Sequence, residues 1–355
     1  MFLSGIGTAV PPQRYTKAEC LEAMEASAPF RNLSHPSRVL ARRVLTANNG
    51  IEARHLALGS LAEVFDIDPD TLHRRFVTHA PRLAAEAGRA ALDEAGLAPS
   101  DCDAVVISTC TGYLCPGLSG YVIERLGLRA NTAAYDLVGQ GCAAALPNWA
   151  VSRALLDSGS ARHVLSICVE VCSAAMYLDD DPGVIISTCL FGDGAGAAVL
   201  SRDADLRGHT GSCVQWMDYE SLTDPSGRDA LRFEQRGGLL RNNLTRQVPA
   251  MAAGAAEKVL DTVLARSALP RDAIQAWIFH AGGRDVLRRV GNQLQLRSDA
   301  LDHSAAILRD YGNMSSAFVY FVLKAALQSQ APRGHWWMSS FGAGFSCHGA
   351  LLRVA

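Results

Sequence analysis

Three residues in small-residue turns carry groups that could act together. Cys142 follows Gly139-Gln140-Gly141 and opens an apolar, helix-patterned run. His280 precedes Ala281-Gly282-Gly283, and Asn313 follows Tyr311-Gly312. A helix N-terminus sets about half a positive charge and free N–H groups beside such a sulfur. That lowers the thiol pKa, and the thiolate is the nucleophile. A neighbouring imidazole would lower it further as an ion pair. His280 and Asn313 also bring hydrogen-bond donors. Two donors aimed at a thioester oxygen stabilise an enolate or a tetrahedral oxyanion. Singly, each residue has a plainer reading. A Cys in a small-residue turn is more often a packed thiol, a His at a strand end more often structural, and an Asn after Gly a cap or turn residue.

The elements that must position these residues form a repeating pattern. Strands are expected at Phe2–Thr8, Ala104–Thr109, Thr132–Leu137, Val164–Val171 and Ala276–Phe279. Helices are expected around Lys17–Ala26, Arg82–Ala95, Gly120–Leu126, Ala143–Ser158 and Ser315–Gln328. Strands that alternate with helices and read as apolar runs indicate an α/β protein with buried, parallel or mixed sheets. The segment FGDGAGAAVL (191–200) closes the first half of the chain and FGAGFSCHGALL (341–352) the second. Each is a Gly-rich turn entering a small-residue strand, which points to duplication of one α/β unit. The halves divide at 1–205 and 206–355, near residues 202–213. Nearly the same interval separates Cys110 from Cys142 as His280 from Asn313. If the halves are related by a pseudo-twofold, Cys142, His280 and Asn313 meet.

Composition narrows the class. The chain has 355 residues, 49% of them hydrophobic, with 33 basic and 35 acidic side chains. That is ample for a large core and excludes disorder for most of the chain. Near-neutral charge argues against nucleic acid as a partner. No apolar run reaches the ~18 residues of a membrane span, and no signal peptide opens the chain. The ten cysteines include no C-x-x-C pair, so a metal site is not expected and a reducing cytoplasm is. Gly192-Asp193-Gly194-Ala195-Gly196 misplaces the third glycine of a dinucleotide loop, and a strand rather than a helix follows it.

The segments GQGCAAALPNW (139–149), FGDGAGAAVL (191–200), FHAGGRDVL (279–287), YGNMSSAFVYFVL (311–323) and FGAGF (341–345) resemble the type III polyketide synthases. These are the chalcone-synthase-like branch of the thiolase fold. The similarity runs from IGTAVP (6–11) to the C-terminus. STCTGYLCPG (108–117) and LARRVLTANNGIEARHLAL (40–58) are more similar to bacterial enzymes making alkylresorcinols, alkylpyrones or phloroglucinol than to plant chalcone synthase.

The resemblance implies an αβαβα layered fold built from two duplicated α/β halves. It implies a homodimer with no bound cofactor, fed by an acyl-CoA starter and malonyl-CoA. Cys142 would take the acyl group, and His280 and Asn313 would hold the malonyl enolate. Repeated condensation and ring closure would give a resorcinol, pyrone or phloroglucinol-type product. Two gatekeeper phenylalanines map to Phe191 and Phe233. Pocket positions map to Cys110, Thr111, Cys172, Ala175 and Ser315, and their small size implies room for a bulky or long starter. Cys115 maps to the residue that reaches into the dimer partner's cavity. Arg38, Arg42, Arg43 and Arg54 are the candidates for the coenzyme A phosphates. Ala343 stands where the family's C-terminal loop carries Pro. The rival readings are a single-condensation enzyme like ketoacyl synthase III and a non-catalytic partner subunit.

Overall fold

The computed structural model describes residues 1–203 and 213–355. The expected boundary between halves, at 205/206, lies outside the described residues. Nine strands form one mixed sheet in the order Ile274–Phe279, Gly334–Gly342, Ser346–Val354, Val214–Thr223, Phe2–Ala9, Gly194–Ser201, His163–Glu170, Ala104–Ser108, Ala133–Leu137. The sheet has a narrow seam. Phe2–Ala9 meets Val214–Thr223 only through Phe2↔Gln215 and Leu3↔Val214.

The two sides of that seam share one pairing scheme. Phe2–Ala9 pairs antiparallel with Gly194–Ser201, which pairs antiparallel with His163–Glu170, which pairs parallel with Ala104–Ser108. Val214–Thr223 pairs antiparallel with Ser346–Val354, which pairs antiparallel with Gly334–Gly342, which pairs parallel with Ile274–Phe279.

Helices fill the spaces between and outside these two groups. Ala145–Asp157 and Phe318–Gln328 each touch strands from both sides of the seam, so they form the central layer. Pro69–Ala95 and Leu118–Leu126 cover the outer face of one group, and Val248–Ser267 packs on the other. The result is the αβαβα stack of the thiolase fold. Strand residues alternate between layers. Ala104 and Val106 enter the cluster with Trp149, whereas Val105 and Ile107 enter the one with Leu83 and Phe76. Both faces are covered, which is why these strands read as unbroken apolar runs.

Two expectations need adjustment. The helix expected at Arg82–Ala95 spans Pro69–Ala95, with Pro81 inside it. Asp68 caps its first turn by accepting the Thr71 N–H at 3.0 Å. Burial of Phe76, Ala80, Leu83, Ala84 and Ala87 along one face outweighs the backbone bond that Pro81 cannot make. The turn at Asn313 also differs from its counterpart. A strand, Ala133–Leu137, precedes Cys142, but a helix, Asp302–Tyr311, precedes Asn313. No helix among the described residues is long and apolar enough to cross a membrane.

Candidate active site

Cys142 sits in a single three-ten turn, Gly141–Ala143, ahead of the helix Ala145–Asp157. Gly141 has φ +54°, a conformation that side chains disfavour. The C-terminal Gly-rich turn braces this one. A Cβ on Gly342 would stand 2.7 Å from the Ala143 nitrogen and 2.8 Å from the Gln140 oxygen. Glycine there lets the two turns touch.

His280 ends the strand Ile274–Phe279, and its N–H donates to the Ser339 carbonyl at 2.9 Å. Its ring stands edge-on to Phe318 and Phe341, with centroids 5.4 and 5.2 Å away. It is 1% exposed, and its Nδ1 has no partner among the described residues. Asn313 is held by backbone bonds to Leu190 and Gly192. Its Oδ1 accepts the Ser315 N–H at 2.9 Å, and its Nδ2 has only a 3.5 Å contact with the Gly282 carbonyl. That leaves one amide N–H to serve the cavity.

Cys142, His280 and Asn313 line one cavity of about 290 Å³, together with Phe191, Gly282 and Phe341. A second, smaller cavity of about 30 Å³ adjoins it, sharing Phe191 and Asn242. Cys110, Thr111, Cys172, Ala175, Phe233 and Ser315 line this second one. Phe191 lines both, so it stands between them. Phe233 comes from the hairpin Leu231–Arg236 and Leu239–Leu244. Cys115 is exposed and lines neither cavity of its own chain.

The electrostatics differ from the sequence expectation. Burial pushes the Cys142 thiol up to about 12, and it pushes the His280 imidazole down to about 3. Desolvation outweighs the helix terminus, which begins one turn further on. No hydrogen bond joins Cys142 to His280 among the described residues. The partner of the sulfur is the Ser315 hydroxyl, 3.1 Å away.

The basic residues are also redistributed. Arg54 is buried, and its guanidinium donates to the carbonyls of Thr188 (2.6 Å) and Phe191 (2.9 Å). It is therefore a brace for the Phe191 turn rather than a phosphate ligand. Arg42 pairs with Glu25 and lies over the Phe30 ring. Arg38 donates to the Arg31 carbonyl. Neither these nor Arg43 lines the thiol cavity, whereas Arg246 and Arg284 do. Both are exposed at its rim.

Sequence reasoning passed over Glu170. It ends the strand His163–Glu170, is 0% exposed, and accepts bonds from Cys110, Thr111, Ser315 and Ser316. The available signal was an acid closing a buried, mostly apolar strand, where unpaired carboxylates are rare.

Known proteins share this architecture. A family model described as FAE1/type III polyketide synthase-like protein matches residues 11–271, and one for the C-terminal domain of chalcone and stilbene synthases matches 225–354. The 1,3,6,8-tetrahydroxynaphthalene synthase of Streptomyces peucetius subsp. caesius is 31% identical, over 99% of this chain and 92% of its own. The 3,5-dihydroxyphenylacetyl-CoA synthase of Streptomyces toyocaensis is 29% identical, over 98% and 89%. Among solved structures, PKS-I from the brown alga Ectocarpus siliculosus superposes with a TM-score of 0.88 at 26% identity, covering 99% of this chain and 97% of that one.

Proposed function

The chain belongs to the type III polyketide synthases, acyltransferases that use acyl-CoA and malonyl-CoA, and on that premise we propose that Cys142 is the nucleophile of this one. The observation that carries the reading is the shared cavity of Cys142, His280 and Asn313. The Cys142 sulfur attacks the carbonyl of an acyl-CoA, and the coenzyme A thiol leaves. Malonyl-CoA then loses carbon dioxide. The electron pair of the broken C–C bond passes into an enolate whose oxygen accepts bonds from Asn313 Nδ2 and the His280 imidazole. The enolate carbon attacks the acyl thioester, a C–C bond forms, and Cys142 is released. Reloading and repetition lengthen the chain before a ring closes. Thiol, imidazole and amide suffice for these steps, and we assign the enzyme no bound cofactor.

Arg246 and Arg284 are the basic groups to receive the coenzyme A phosphates, in place of Arg38, Arg42, Arg43 and Arg54. The second cavity bears on the size of the starter. Although Ala175, Cys172 and Ser315 are small, Met176, Tyr177 and Leu240 occupy the space beside them. Those side chains narrow the space that the small residues leave, and on that ground we propose a small starter rather than a bulky or long one.

We also propose a homodimer in a reducing cytoplasm. All ten cysteines are free, and the edge strand Ala133–Leu137 presents exposed Tyr135 beside Val138 for a second copy. Mass spectrometry of products from malonyl-CoA with a panel of acyl-CoA starters tests the reaction. Several malonyl additions and a ring are expected. A single addition on a carrier protein would instead indicate an enzyme like ketoacyl synthase III.

A further inference from the structure

The hairpin that carries Phe233 has two unlike faces. Its strands pair with Phe233 opposite Asn242 and Leu231 opposite Leu244. Residues opposite each other in such a pair share a face, and alternate residues along each strand follow them. Below the exposed turn one row is therefore Leu231, Phe233, Leu240, Asn242 and Leu244, and every member of it lines one or both of the two cavities. The other row faces away from them, where Arg232 pairs with Glu234 and Arg241 with Asp181.

Asn242 is the polar member of the cavity row and the most buried residue of the hairpin, 5% exposed. It lines both cavities, as Phe191 does, whereas Phe233 lines only the second. Its amide has one orientation. Nδ2 donates to the Ser187 hydroxyl at 2.7 Å, and that hydroxyl gives its own proton to the Gly183 carbonyl at 2.6 Å. A serine hydroxyl has one proton, so Ser187 can only accept from Asn242. That fixes which end of the amide is oxygen. Oδ1 is buried and has no partner among the described residues. A buried acceptor left unpaired is costly to keep, and each one calls for an explanation.

We propose that Asn242 is a specificity-determining residue whose Oδ1 accepts a hydrogen bond from an O–H on the acyl chain. The proposal rests on the condensation chemistry proposed for Cys142, which makes that chain a β-keto thioester. Each added unit brings a carbonyl, and a carbonyl is an acceptor that Oδ1 repels. Enolisation turns the same oxygen into a donor. Where the chain passes between the cavities, Oδ1 therefore holds the enol form over the keto form. The other side chains of the row are apolar and offer the hydroxyl no alternative partner. A chain bearing an alcohol at the same place is held in the same way.

The test offers the full-length enzyme butyryl-CoA and hexanoyl-CoA as starters with malonyl-CoA, against counterparts hydroxylated at each carbon in turn. Product formation, followed by mass spectrometry, gives kcat/KM for each. For at least one hydroxyl position the wild type should favour the hydroxylated starter about tenfold or more, since a site built to bond an O–H rejects the chain that lacks it. Asn242→Leu, similar in size and apolar, should bring that ratio to about one or below. Ser187→Ala should weaken the preference, because the amide loses its anchor. A role for Asn242 in bracing the hairpin alone would change both starters equally and leave the ratio as it was. A wild type with no preference at any position overturns the proposal, and this result needs no variant to fold. So does a wild-type preference that survives in Asn242→Leu. A wild type that forms no condensation product from any acyl-CoA with malonyl-CoA gives a different result: the reaction itself is then misassigned, and the proposal falls with it.

Discussion

Arg54 and Phe191 are joined by a half-buried hydrogen bond, the guanidinium donating to the Phe191 carbonyl at 2.9 Å. The same guanidinium holds the Thr188 carbonyl, so this side chain joins the backbone bonds of Leu190, Phe191 and Gly192 in holding the turn that places Phe191 between the two cavities. Arg54→Ala should destabilise the fold by roughly 2–4 kcal/mol, because a buried and a half-buried acceptor lose a charged donor. Arg54→Lys should restore little, since an ammonium lacks the planar fork. Thermal melting checks this. An unchanged melting temperature with a raised KM for acyl-CoA would return Arg54 to phosphate binding.

Replacing Cys142 by Ala should abolish the acyl-enzyme adduct seen by intact-protein mass spectrometry. An adduct of undiminished mass and occupancy in Cys142→Ala would place the nucleophile elsewhere.

For His280→Ala and Asn313→Ala the expected phenotype is selective. Both should still load starter slowly, while carbon dioxide release from malonyl-CoA falls by about 100-fold or more, the scale of losing an oxyanion donor. Normal release from both variants would remove them from the decarboxylation step.

At the cavity rim, Arg246→Ala and Arg284→Ala should raise the KM for coenzyme A thioesters by about five- to thirtyfold with kcat little changed. Their effects should shrink at high salt, as exposed charges are screened. Steady-state kinetics at two ionic strengths reads both.

Acid should destabilise the fold through two histidines. Burial lowers His280 to about 3 and His348 to about 4, from an ordinary 6.5. Below 6.5 the unfolded chain therefore binds protons that the folded chain refuses, so stability falls as pH falls. Each histidine contributes a slope of at most about 1.4 kcal/mol per pH unit. The loss runs from about 6.5 to about 4 for His348 and on to about 3 for His280. Denaturant titrations across that window should show a shallower slope in His348→Gln; an identical slope would contradict the assignment.

The sequence was most informative where chemistry sits in short turns. Cys142, His280 and Asn313 stood out because each lies in a glycine-containing turn, and because the repeat related their positions. The pocket residues were traceable through family likeness, and they do line one cavity. Other features depend on distant packing. Nothing near Arg54 in sequence indicates that Thr188 and Phe191 will surround its guanidinium. Glu170 gathers donors from chain segments around Cys110 and Ser315. Pro81 reads as a helix start, yet the burial of its neighbours carries the helix through it. The hairpin bearing Phe233 was legible but passed over. Gly237 and Gly238, both at positive φ, are the two-residue turn that such strands favour.

The strand Phe2–Ala9 lies in the middle of the sheet, beside Gly194–Ser201 and against the seam with Val214–Thr223. During synthesis it emerges early and then waits, unpaired, until those segments exist. Pairings of such wide sequence separation make folding slow. A growing chain with an apolar, edge-exposed segment is prone to associate with its neighbours on the ribosome. Yield in a heterologous host should therefore respond to chaperone supply and growth temperature more than to changes at the active site.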